Sequence, residues 1–121
     1  MADTDKLPVY NKARQLFDQL ERSTQKVPTN IKRGSVAMIE EMIIGVMDNI
    51  AFANMSEKDK RTRLAFIQSA METMQKVKIR VRTLHDLHFI TKKGFDAIIL
   101  AEENVVRQLA GWEKKTYSEV V

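Results

Sequence analysis

The sequence predicts an all-α protein, an antiparallel up-down-up-down four-helix bundle. Three observations predict it. Apolar residues recur at three- and four-residue steps through most of the 121 positions. The two prolines, Pro8 and Pro28, stand where helices begin, because the fixed φ of proline suits a first helical turn. The four amphipathic stretches between the breakers are joined by short connections, which suits neighbouring helices of alternating direction.

The first helix is expected over 8–26, with Val9, Ala13, Leu16, Phe17 and Leu20 on one face. Pro28 ends that run and opens a second helix over 29–54. Its face carries Ile31, Ile39, Met42, Ile43, Val46, Met47 and Ile50, and the period continues through Gly34 and Gly45. Each glycine costs about 1 kcal/mol relative to alanine there. In NMSEKD, Ser56 followed by Asp59 resembles a capping box, although Glu or Gln is the usual partner. The third helix is therefore expected over 57–85. Thr91 is a good N-cap for a fourth helix over 92–115, with Phe95, Ile98, Ile99, Val105, Val106, Leu109 and Trp112 on its face. The tail beyond Lys115 reads as frayed.

One stretch competes with this scheme. KVKIRVR, residues 76–82, alternates basic and apolar residues and would suit a half-buried strand. A longer stripe runs through it: Leu64, Ile67, Met71, Met74, Val77, Val81 and Leu84. Val77 and Val81 join that stripe and Ile79 does not. The long period outweighs the short alternation, so the segment reads as the last part of the third helix.

The charge is concentrated on that helix. The chain carries a formal +4, whereas 57–85 alone holds eight Lys or Arg against three acids, a net +5. Lys58, Lys76 and Arg80 are expected nearly opposite the stripe, and Lys78 and Arg82 at one shoulder of it. Cations one turn apart suit a phosphate backbone or a cluster of carboxylates, and equally form an ordinary solvated face. There is no cysteine, which excludes disulfides and thiolate metal sites and fits a cytoplasmic location. MADTDKLPVY shows no signal-peptide segment, and no apolar run approaches the ~20 residues needed to span a bilayer.

Catalytic constellations do not assemble. His85 and His88 with Asp86 fall short of three well-placed zinc ligands. The neighbours in Glu40–Glu41 and Glu102–Glu103 do not face each other on a helix. Glu102 falls near the apolar face of the fourth helix. It is either a carboxylate met by an Arg across the bundle or a subunit interface, or a group with a raised pKa suited to acid–base work. No Gly-rich phosphate loop and no Ser–His–carboxylate set is present. The expectation is a non-enzyme with no cofactor and no metal. Of the seven methionines, those on helices serve as core filler or as an adaptable binding face. Trp112 serves either an interface or its own core.

Several segments in order then carry a resemblance: LPVY at Leu7–Tyr10, the Val27–Pro28 connection, Lys78, Arg82 and Leu84 late in the third helix, Phe89–Ile90–Thr91, and RQLAGW at Arg107–Trp112. From Leu7 to about Lys115 the chain resembles the small four-helix-bundle family of proteins encoded in 23S rRNA intervening sequences. That family includes the accessory variability proteins of diversity-generating retroelements. Two positions depart from its pattern. Arg is usual where Lys78 stands, and Lys lacks the bidentate fork of Arg. Glycine is common where His88 stands. The resemblance implies a homopentameric barrel with a basic surface. In the retroelement branch it implies nucleic acid and a reverse transcriptase as partners.

The expected function is RNA or DNA binding by a homo-oligomer, through Lys76, Lys78, Arg80 and Arg82 with Lys58 and Arg61 extending the patch. The alternative is a scaffold that docks a reverse transcriptase or other protein. No membrane partner is expected.

Overall fold

The computed structural model describes residues 3–120. It is all-helical, with no strand among the described residues. After a 3-10 turn at Thr4–Lys6, helix α1 spans Pro8–Ser23 with proline in its first turn. The second rod, called α2 here, comprises an α turn at Thr29–Ile31, a π segment at Lys32–Val36 and an α run at Ala37–Met55. Helix α3 spans Lys60–Asp86 and α4 spans Lys92–Val120. KVKIRVR lies wholly within α3.

The four rods surround one apolar core. Leu16 and Leu20 of α1, Ile39, Ile43 and Ile50 of α2, Ile67, Met74 and Val77 of α3, and Ile98 and Leu109 of α4 are all fully buried. The main interfaces join α2 to α3, α3 to α4 and α1 to α4, with α1 against α2 completing the bundle-like packing. No helix is long and apolar enough to cross a membrane among the described residues.

The boundaries differ from expectation at three places, each for a local reason. Helix α1 stops at Ser23 rather than 26. Thr24 is buried there, donates its hydroxyl to the Leu20 carbonyl at 2.7 Å and accepts from Lys32 Nζ at 3.0 Å. Helix α3 starts at Lys60 rather than 57. Asp59 itself is the N-cap, accepting from the Thr62 amide at 3.1 Å and the Thr62 hydroxyl at 2.8 Å. Those bonds hold its carboxyl below the usual range. Ser56 instead closes α2, donating to the Phe52 carbonyl at 2.8 Å. The tail does not fray: α4 continues to Val120, with Thr116 buried and Glu119 paired to Lys60 at 3.2 Å.

One expectation is met by specific geometry. Thr91 caps α4 by accepting from the Gly94 amide at 3.0 Å. The turn before it is a Schellman motif, in which Phe89 N–H donates to Leu84 and His88 N–H to His85, both at 2.9 Å. His88 has φ 66°, the left-handed region where glycine is most at ease. Inside α2 the π segment inserts one residue into the helical period, so Ile31 and Val36 are five apart yet both meet the core. Val36 is fully buried, and the expected face omitted it.

Candidate nucleic-acid interface

Lys76, Lys78, Arg80 and Arg82 stand in the C-terminal half of α3, and all four are exposed. The intervening Val77 and Val81 are fully buried, and Ile79 projects outward at 66 % exposure. Alternation in the sequence thus becomes two rows of cations flanking an outward isoleucine. None of the four forms an ion pair among the described residues.

The rows face different neighbours. Arg80 lines a groove against α2 with Ile31, Ser35 and Met38. Lys78 and Arg82 lie on the α4 side, where their charges act on Glu102. Arg61 is exposed about 22 Å from Lys76 along the axis, at 1.5 Å per residue. Lys58 is not on α3 at all: it lies in the turn before the Asp59 cap, beside Met55 and Ser56. The structure brings four of the six expected residues together and leaves Arg61 and Lys58 at the far end.

Two other cations of the same helix are structurally engaged. Arg63 Nε donates to the Ala53 carbonyl at 2.8 Å and its Nη2 to Asn54 at 3.3 Å, satisfying carbonyls that end α2. Its guanidinium lies 5.6 Å from the centre of the Trp112 ring. Lys60 holds Glu119. The excess charge free to meet a partner is therefore smaller than the sequence count.

Glu102 is 3 % exposed, and its Oε2 has no hydrogen-bond partner. Burial pushes its carboxyl up to about 7; the adjacent Glu103 adds to the rise, and Lys78 and Arg82 oppose it. Among the described residues no Arg pairs with it.

A second carboxylate cluster was not visible in the sequence, because its members come from two helices. Glu40 is half-buried close to Glu21 with its Oε2 unpartnered, and burial first, then the neighbouring Glu21 carboxyl, raises Glu40 to about 7. Glu21 is held low, chiefly by its interaction with the Glu40 carboxyl and then by Lys32, whose Nζ lies 3.1 Å away. This set braces α1 against the π segment of α2. His85 stacks on Phe95 with ring centres 4.2 Å apart and pairs with Asp86 at 3.2 Å. Among the described residues no group of three His, Asp or Glu could hold a metal ion.

No protein-family model matches the chain, and no curated protein matches it.

Proposed function

We propose that this protein binds RNA or DNA without catalysing a reaction, through the C-terminal half of α3. The observation that carries the reading is the set of four exposed, unpaired cations at Lys76, Lys78, Arg80 and Arg82. Unpaired cations crowded on one helix repel one another and are relieved by a polyanion. Contacts of this kind grip phosphates and carry little sequence information.

The resemblance to the intervening-sequence and accessory variability family points the same way, and it brings a homopentamer in the cytoplasm. An up-down-up-down order fits the pairings between helices. Asn49 bonds Ser69 while Ala53 meets Arg63, so position rises along α3 as it falls along α2. Lys60 with Glu119 and His85 with Phe95 run oppositely in the same way between α3 and α4.

The test is fluorescence anisotropy of labelled RNA and DNA at several salt concentrations. Tight binding that falls steeply with salt is expected. The double charge reversal Lys78→Glu with Arg82→Glu should flatten the salt slope by about 1 for each phosphate no longer gripped. Absence of binding at low salt by a folded oligomer overturns the reading.

A second reading is favoured by α2, where Met38, Ile44, Phe52 and Met55 are 45 to 60 % exposed. Apolar side chains so exposed suit a protein partner, a second copy or a reverse transcriptase. A pull-down that survives nuclease treatment would favour docking over nucleic-acid binding.

A further inference from the structure

A cleft of about 430 Å³ opens between the start of α1 and the last turns of α4. Leu7 and Pro8 of one segment and Trp112 of the other line it. Gly111 also lines it, and a Cβ placed there would meet nothing within 4 Å beyond its chain neighbours and its own helix backbone, so the missing side chain leaves space in the cleft. Arg107 and Lys115 stand one turn before and one turn after Gly111. No acidic residue lines the cleft.

These features define a ligand chemistry. A cleft lined by a proline ring and an indole suits a flat ring, because every nucleobase offers a π-face for stacking. Trp112 is held in place by the guanidinium of Arg63, 5.6 Å from its ring centre. Arg107 and Lys115 are about 12 Å apart along the helix axis, far enough to hold phosphates on either side of one base. The volume falls within the range of small-ligand sites.

We propose that this cleft takes one unstacked nucleotide of a bound single strand, its base between Pro8 and Trp112 and its flanking phosphates at Arg107 and Lys115. The inference rests on the nucleic-acid reading and adds to it a base contact that the cations of α3 do not supply.

Trp112 is the only tryptophan in the chain, so its emission reports on the cleft directly. The probes are a ten-nucleotide oligodeoxythymidylate and an abasic strand of equal length, which has the same phosphates and no bases. The thymidylate strand should quench Trp112, while the abasic strand binds by anisotropy without quenching. In Gly111→Leu the new side chain fills the cleft and replaces a poor helix former. That variant should lose the quenching and bind thymidylate about tenfold more weakly, with abasic binding unchanged. Arg107→Glu, at an exposed position, should also weaken thymidylate binding. Thymidylate bound without quenching, equal quenching by both strands, or unchanged thymidylate affinity in both variants overturns the cleft and leaves the α3 interface standing. Failure of both strands to bind at low salt overturns both.

Discussion

The guanidinium of Arg63 lies over the indole of Trp112 while donating to the carbonyls of Ala53 and Asn54. One side chain of α3 thereby closes the C-terminus of α2 and steadies α4. Charged hydrogen bonds contribute roughly 1.5–3 kcal/mol and a cation–π contact about 1 kcal/mol. Arg63→Ala should therefore destabilise the protein by about 2–4 kcal/mol in urea unfolding. Arg63→Lys should recover only part of this, because an ammonium lacks the fork. A loss below about 0.5 kcal/mol would show that the carbonyls are satisfied by water instead.

His88 holds the left-handed position of the Schellman turn with φ 66°. A side chain there costs roughly 1 kcal/mol relative to glycine. His88→Gly should raise the unfolding midpoint by several degrees, as about 1 kcal/mol does in a domain of this size. An unchanged or lower midpoint would mean that the imidazole makes a compensating contact in solution.

Glu102 makes stability depend on pH. Its folded-state pKa is raised from 4.5 to about 7. Between those values the folded protein holds more protons than the unfolded chain, so stability falls as pH rises through that window. The loss is about 3 kcal/mol once pH exceeds 7. Glu40 is raised in the same direction and contributes over the same window. Glu102→Gln should leave stability near pH 5 almost unchanged and increase it near pH 8, with Glu40 retaining part of the slope. Urea melts at the two pH values decide it: equal effects at both would mean that the carboxyl is ionised and solvated in the folded state.

The helices were legible because each buries one face, and a 3.6-residue period follows from that. Their ends were not, because several side chains compete to cap. Ser56 and Asp59 both suit an N-cap, and the choice of Asp59 depends on the hydroxyl and amide of Thr62. Val36 escaped the period because the π segment adds a residue that a regular helix does not have. At the candidate site the cluster from Lys76 to Arg82 could be read directly. The engagement of Lys60 and Arg63 could not, since their partners Glu119, Ala53 and Asn54 are brought near only by folding. The Glu21–Glu40 pair was hidden for the same reason.

The two rows of cations on α3 should prove unequal. Lys78 and Arg82 already act on the buried Glu102, whereas Arg80 lines the groove against α2. Replacing Lys78 and Arg82 by alanine removes the two charges that oppose the rise of Glu102. Its folded pKa should climb further above 7, so the fall in stability should extend to higher pH and be deeper near pH 8. Lys76→Ala with Arg80→Ala should leave that profile unmoved. On the proposed reading, nucleic-acid affinity should fall in both double variants, since each removes two of the four exposed cations. The pH profile therefore separates the rows by a readout independent of binding. If both double variants shift it equally, Glu102 senses the net charge of the helix and not its two neighbours. If neither does, the carboxyl is shielded from α3 altogether.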